Sequence, residues 1–126
     1  MKDLRKTIHI KVPREVVFNA ITNPLTLELW TGYEARMEPG PGSEFSLFDG
    51  DITGRMRILQ APSLLEQVWD FGDQQEESVV RIELFDESGK TRLELSHTNI
   101  PDEAFENIED GWKNYYLGAL KSYLEN

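Results

Sequence analysis

Residues 103–124 read EAFENIEDGWKNYYLGALKSYL, and this stretch decides the fold of the chain. Its apolar residues recur at steps of three and four, the spacing that places side chains on one face of an α-helix: Phe105, Ile108, Trp112, Tyr116, Ala119, Leu120 and Tyr123. We predict one amphipathic helix here, about 30 Å long, with Asp102 as its N-cap. Gly111 is expected to mark a bend, and Gly118 a close approach to another backbone.

The residues before this helix predict a sheet, because apolar and polar side chains alternate in one short run after another. The first run, residues 7–12, is followed by two short helices at residues 14–21 and 25–30. Further runs separated by turns are typical of an antiparallel meander: residues 33–37, 44–48, 52–59, 64–71, 78–85 and 91–98. The predicted fold class is therefore α+β, a curved antiparallel sheet of about six or seven strands wrapped around a long C-terminal helix, with two short helices after strand 1.

Length and composition indicate one soluble domain over residues 1–126. Thirteen Lys and Arg face 23 Asp and Glu, a formal net charge of −10, which argues against nucleic acid and anionic membranes as partners. The chain has no Cys, no apolar run long enough to cross a bilayer and no signal-peptide pattern. We therefore expect a cytoplasmic protein without membrane insertion, either a monomer or a weak dimer that pairs through an exposed edge strand.

Four segments of the sequence resemble a known family, and they occur in the same order as in that family: residues 13–30 (PREVVFNAITNPLTLELW), 42–54 (GSEFSLFDGDITG), 93–101 (LELSHTNIP) and 111–124 (GWKNYYLGALKSYL). They are similar to the C-terminal domain of the activator of the heat-shock-protein-90 ATPase, within the START-like, birch-pollen-allergen superfamily. The resemblance implies a helix-grip fold, in which a curved sheet holds one long helix. It also implies a non-enzymatic domain with a chaperone-linked or stress-related interaction role, whose partner is a chaperone ATPase.

A sheet that holds a helix tends to leave a hollow, and seven residues are expected to face it: Trp30, Phe45, Trp69, Phe71, His97, Trp112 and Tyr116. Large aromatic side chains at such positions form either packed core or the lining of a small-molecule site. Trp69 and Trp112 are the best candidates, because a sheet Trp and a helix Trp would face each other. The alternative function is therefore binding or carriage of a small apolar ligand, with His97 holding its polar end.

Patterns typical of catalysis or metal binding are weak in this sequence. Two His, no Cys and no calcium-loop spacing of carboxylates argue against a metal site, and we predict neither a metal nor a cofactor. The chain has no phosphate-binding glycine loop before a helix and no nucleophile elbow. A cyclase- or hydrolase-like enzyme with His97 as general base is a weaker alternative, and we otherwise assign no catalytic residue.

Overall fold

A computed structural model describes residues 1–72 and 74–126 of the chain. Its first elements are, in chain order, β1 (Lys2–Ile10), α1 (Arg14–Thr22), α2 (Pro24–Thr31), β2 (Arg36–Met37), β3 (Glu44–Leu47), β4 (Ile52–Gln60), β5 (Leu64–Trp69), β6 (Ser78–Glu87) and β7 (Lys90–Ile100). Helical backbone then runs from residue 102 to residue 125, and we call this element the C-terminal helix.

Within the described residues, seven strands pair antiparallel in the order β1-β7-β6-β5-β4-β3-β2. β1 and the two-residue β2 therefore lie at opposite edges of the sheet. The chain between them has to cross the whole sheet, and α1 and α2 provide this crossing. The architecture confirms the predicted α+β class and the helix-grip fold that the resemblance implies.

Some strand boundaries differ from the prediction. β1 begins at Lys2 rather than at residue 7, because buried Leu4 extends the apolar face through a run of charged residues. β2 is short because the backbone N–H of Glu34 donates to the Asp49 carboxylate instead of to a neighbouring strand. β5 ends before Phe71, which therefore lies outside the strand to which the alternation assigns it.

The two short helices close one end of the sheet. Asn23 separates them, since its backbone is extended and its side chain accepts a hydrogen bond of 3.0 Å from the N–H of Leu25. Pro24 then fits the first turn of α2, where its missing N–H is not needed. The indole N–H of Trp30 donates to the carbonyl of Ala20 at 2.8 Å, which fastens α2 onto α1.

The C-terminal helix is continuous, but it is not a regular α-helix. A 3₁₀ turn (Asp102–Ala104) leads into α3 (Phe105–Asp110), a π-helical segment (Gly111–Leu117) and α4 (Gly118–Glu125). The prediction of Asp102 as N-cap was wrong: it lies inside the first turn, and its carboxylate is 2.9 Å from the Met1 ammonium group. No helix in the described part of the chain has the length and apolar character needed to span a bilayer.

The π-helical segment is defined by a hydrogen bond from the N–H of Gly118 to the carbonyl of Lys113, five residues back. The backbone angles stay helical at Gly111 (φ −60°, ψ −47°) and at Gly118 (φ −63°, ψ −44°). The close approach predicted for Gly118 is therefore to its own helix, since a Cβ there would lie 2.7 Å from the Lys113 oxygen. The wide turn buries three side chains of this segment: Trp112, Tyr116 and Leu117.

The two glycines of this helix form a matched pair for a stability test. A Cβ at Gly111 would meet nothing within 4 Å, so Gly111→Ala should raise the free energy of unfolding by about 0.5–1 kcal/mol through helix propensity. Gly118→Ala should lower it, because the new methyl group would collide with a backbone oxygen that cannot rotate away. Chemical denaturation of both variants and the wild type measures this difference. Equal shifts in the same direction would contradict the π-helical geometry.

Candidate functional site

Four of the seven predicted residues form a chain of ring contacts between the sheet and the C-terminal helix. Trp69 of β5 stacks on Trp112 of the helix, with ring centroids 4.9 Å apart and planes inclined by 19°. Tyr116 lies 4.5 Å from Trp112 and 5.0 Å from Trp30, measured between ring centroids. The hollow is therefore filled at its centre, where the two Trp rings touch.

The other three predicted residues lie at different depths. His97 of β7 is fully buried, and its imidazole ring lies 4.9 Å from the Trp69 ring. Half-buried Phe71 lies 6.1 Å from the same imidazole. Phe45 is buried on β3 beside Gly54, where an added Cβ would lie 2.9 Å from the Phe45 ring. His97 and Phe71 thus extend the ring chain, and Phe45 packs against β4.

His97 is the centre of a buried hydrogen-bond network that joins the helix to the sheet. The indole N–H of Trp112 donates to His97 Nδ1 at 2.9 Å. His97 Nε2 lies 2.8 Å from the Ser78 hydroxyl oxygen, which in turn lies 3.0 Å from the carbonyl oxygen of Thr98. Because an indole N–H can only donate, Nδ1 must accept, and the proton of the neutral imidazole is on Nε2. The Ser78 hydroxyl then accepts from His97 and donates to Thr98.

Burial lowers the pKa of His97 from its ordinary value of 6.5 to about 3 by penalising the charged imidazolium. Protonation would also place an N–H on Nδ1, directly opposite the N–H of Trp112. The imidazole is therefore neutral at physiological pH, and both of its nitrogens already have partners. With the side chain 0% exposed, the geometry argues against His97 as a general base and against His97 as the anchor for a ligand.

The indole groups of the cluster are also satisfied within the protein. Trp69 Nε1 donates to the side-chain oxygen of Gln67 at 3.1 Å, and Trp30 Nε1 donates to the backbone as described above. In the described residues, no fully buried side-chain nitrogen or oxygen lacks a hydrogen-bond partner. The centre of the domain therefore has the properties of a finished core rather than of an open polar site.

A cleft of about 540 Å³ opens beside this core, between the C-terminal helix and the turn that joins β3 to β4. Its size falls in the range typical of small-molecule sites, roughly 300–1,000 Å³. Half of its lining residues are aromatic, and two are carboxylates: Tyr33, Phe48, Asp51, Ile52, Trp69, Asn107, Asp110, Gly111, Tyr115 and Tyr116. Burial raises the pKa of Tyr116, so its hydroxyl stays protonated and can donate a hydrogen bond.

The structure thus places two of the predicted residues, Trp69 and Tyr116, at the cleft. The sequence analysis missed the outer wall, where the rings of Tyr33 and Phe48 lie 5.9 Å apart. Phe48 points there because its backbone has φ +54°, which alternation along a strand does not reveal. Tyr115 is 63% exposed at the rim, and its position next to Tyr116 of the helical stripe was the one signal for it in the sequence.

A larger opening of about 810 Å³ lies over β3, β4 and β5 and residues 74–77. Phe45 and Trp69 touch it, but its charged lining is extensive: Arg36, Glu44, Arg55, Asp70, Glu76 and Glu77. Arg55 pairs with Glu77, and with two arginines against four carboxylates the charged lining is negative overall. We take the aromatic cleft as the candidate site, because it offers apolar walls next to the ring cluster.

Over the described residues, no three side chains of His, Asp or Glu are grouped so that they could hold a metal ion. The lining of the aromatic cleft offers apolar contact, hydrogen bonds and charge.

The neutral, buried state of His97 should couple folding to pH. Because the unfolded chain takes up this proton near pH 6.5 and the folded chain near pH 3, stability should fall as the pH drops through this window. The expected slope from this group is at most roughly 1.4 kcal/mol per pH unit. His97→Asn, whose amide oxygen can still accept from Trp112, should show a shallower decline in urea unfolding experiments. Equal slopes for the variant and the wild type would contradict a neutral His97.

Comparison with known proteins matches most of the chain to one family. Residues 11–125 match the family described as activator of Hsp90 ATPase homolog 1-like protein. The chain is 33% identical over 108 residues to the activator of 90 kDa heat shock protein ATPase homolog of Dictyostelium discoideum, covering 82% of this chain and 28% of that protein. For homolog 1 of Mus musculus, identity is 27% over 109 residues, covering 85% and 32%. The chain thus spans about a third of the length of these curated relatives.

Solved structures agree with this assignment. An HSP90 activator from Plasmodium falciparum has a TM-score of 0.89 and 30% identity, covering 98% of this chain and 96% of that chain. The Aha1 dimer from Colwellia psychrerythraea shares the fold, with a TM-score of 0.83 at 20% identity, covering 99% of this chain and 97% of that one. On the match over residues 11–125, the chain belongs to the activator of Hsp90 ATPase homolog 1-like protein family.

Proposed function

We propose that this domain is an interaction module that binds a chaperone ATPase of the Hsp90 class and raises its ATPase rate. The observation that carries the proposal is the family match over residues 11–125, together with relatives named as activators of that ATPase. The filled centre supports it. Because the Trp69 and Trp112 rings are in contact, they leave no space for a ligand between them, and binding has to take place at the surface of the domain. Such a partner would place the module in the cytoplasm and in the stress response.

The test is the steady-state ATPase rate of the source organism's own Hsp90-class chaperone, measured at increasing concentrations of the domain. We expect a saturable rise in the rate, because an activator acts by forming a complex of fixed stoichiometry. An ATPase-deficient chaperone variant is the control for contaminating hydrolysis. No binding in calorimetry, or an unchanged rate at a domain concentration where calorimetry shows the chaperone to be saturated, would contradict the proposal.

A second candidate function is binding of a small, largely apolar ligand in the aromatic cleft. The specific observation is the concentration of rings there, with Tyr33 and Phe48 on one wall and Trp69 and Tyr116 at the base. Hydrophobic and aromatic side chains form most of the lining of typical ligand sites, and a few polar groups fix the orientation of the ligand. In this cleft, the side chain of Asn107 and the hydroxyl of Tyr116 would orient the ligand.

Gly111 offers a way to close the cleft without disturbing the core. It lines the cleft, and a Cβ added there meets nothing within 4 Å. In native mass spectrometry of freshly purified protein, we expect a bound small molecule on the wild type and on Gly111→Ala, and its loss from Gly111→Leu, whose larger side chain fills the opening. An adduct that survives Gly111→Leu, or a wild type that carries none, would contradict this site.

The same variant separates the two candidate functions. Gly111→Leu should leave activation of the chaperone ATPase unchanged if the domain acts through its outer surface. A parallel loss of ligand and of activation would instead show that the cleft itself controls the chaperone.

A further inference from the structure

Positive charge is concentrated on β1 and on Lys11, which directly follows it, although the chain as a whole is strongly acidic. Residues 2–11 contain Lys2, Arg5, Lys6 and Lys11 against a single carboxylate, Asp3, while the whole chain has a formal charge of −10. β1 is also an edge strand, paired on one side only, with β7. The molecule therefore has one basic edge on an otherwise acidic surface.

Three cations along this edge have no carboxylate partner, in contrast to the arginines of the other elements in the described residues. Within the part of the chain that the structure describes, Arg5, Lys6 and Lys11 have no carboxylate within 4.0 Å. Each of the six other arginines lies within 4.0 Å of at least one: Arg14, Arg36, Arg55, Arg57, Arg81 and Arg92. The cations of β1 are thus available to an acidic partner without first breaking an internal ion pair.

The backbone of β1 also offers hydrogen-bond groups to a partner. The carbonyl of His9 accepts from the Lys121 ammonium group at 2.6 Å, and the N–H of Lys11 donates to the Glu125 carboxylate at 2.9 Å. These groups therefore point away from β7. In a strand every second residue directs its N–H and C=O to the same side, and the β1–β7 register is unbroken from Leu4 to Ile10. The N–H and C=O of Arg5 and Thr7 consequently face outward as well.

The C-terminal helix contacts both ends of this edge, at Met1 and Lys2 and at His9 and Lys11, and leaves its middle open. Lys121 and Glu125 occupy the outward groups of His9 and Lys11, so the free part of the edge is centred on Arg5 and Thr7. Both of these side chains are exposed. An extended segment of a few residues can therefore reach the open backbone and the unpaired cations at the same time.

We propose that the outer edge of β1 is a docking surface for an acidic, extended segment of a partner protein, which adds to the sheet as an eighth strand beside Arg5 and Thr7. Main-chain hydrogen bonds would supply part of the affinity, as in other cases of strand addition. Carboxylates of the segment would pair with Arg5, Lys6 and Lys11 and select for acidic sequence. This inference rests on the proposed function in that it assumes a protein partner.

Cations on an edge strand also have a protective role, because they repel the same edge of a second copy and so prevent aggregation. That role requires no acidic partner, and it predicts that an acidic peptide leaves β1 unchanged. The two explanations therefore differ in one measurable result.

The experiment is a titration of the ¹⁵N-labelled full chain with the blocked peptide EVEVEV, followed by amide chemical shifts and hydrogen exchange. We expect saturable shifts confined to β1, slower exchange at the amides of Arg5 and Thr7, and weaker binding as salt is raised. The peptide QVQVQV has the same length and strand propensity without charge, and it should bind several-fold more weakly. No binding of EVEVEV, or equal binding of both peptides, would overturn the proposal.

Matched variants separate charge from backbone pairing. Arg5→Gln should weaken the EVEVEV complex by about three- to fivefold, whereas Lys113→Gln, which removes the same charge from the exposed surface of the C-terminal helix, should leave it unchanged. Thr7→Pro removes an outward N–H and should abolish binding. If that variant fails to fold, EVEVEV N-methylated at alternate residues tests the same hydrogen bonds on the wild type. Equal protection of β1 by a thymidine hexanucleotide would show a general anion site and overturn strand pairing.

Failure of the proposed edge site can be distinguished from failure of the proposed chaperone function. Binding of EVEVEV to β1 without any effect of the domain on the chaperone ATPase would leave the edge site standing and remove the chaperone role. Equal activation of the ATPase by the wild type and by Arg5→Gln, with no peptide binding, would remove the edge site and leave the chaperone role standing.

Discussion

The hydrogen bond from Trp112 to His97 is the constraint on which the rest of the structure depends. It connects the C-terminal helix to β7, and the Trp112 ring stacks on Trp69 beside it. Apolar contacts alone would tolerate rotation or sliding of the helix. A buried donor and acceptor do not, because leaving either one unpaired costs about 1–3 kcal/mol. The polar pair therefore selects one orientation of the helix, and that orientation positions the aromatic cleft.

The general architecture could be predicted from the sequence because it rests on periodicity. The helical stripe around Trp112 and the alternation along the strands specify which faces are buried, and that information is local. The hydrogen-bond partners of His97 could not be predicted from the sequence, because Ser78 and Trp112 are distant from it along the chain and meet it only in the folded protein. The π-helical segment escaped prediction because a stripe with steps of three and four tolerates one additional residue. The walls of the cleft depend on turn geometry, which leaves little trace in a single sequence.

The interior of the domain is closed, and the features that suggest a function lie on its surface. Family membership fixes the ancestry of the domain, and its span of about a third of the curated relatives shows that it represents one part of their architecture. The interior uses its polar groups on one another. What distinguishes the exterior is a ring-lined cleft on one side of the helix and a basic sheet edge in an acidic protein. Small-molecule binding and protein binding would thus occupy different faces of the same domain.

The π-helical segment also sets the angular relation between the two ends of the C-terminal helix. A π turn holds one residue more than an α turn, so it absorbs that residue without rotating the helix beyond it by the roughly 100° that each residue of an α-helix adds. If the same residues were wound as regular α-helix, Leu120, now fully buried, would turn toward water. Lys121 and Glu125 would lose their hydrogen bonds to the backbone of His9 and Lys11. The wide turn is therefore what keeps the far end of the helix aligned with the first strand of the chain.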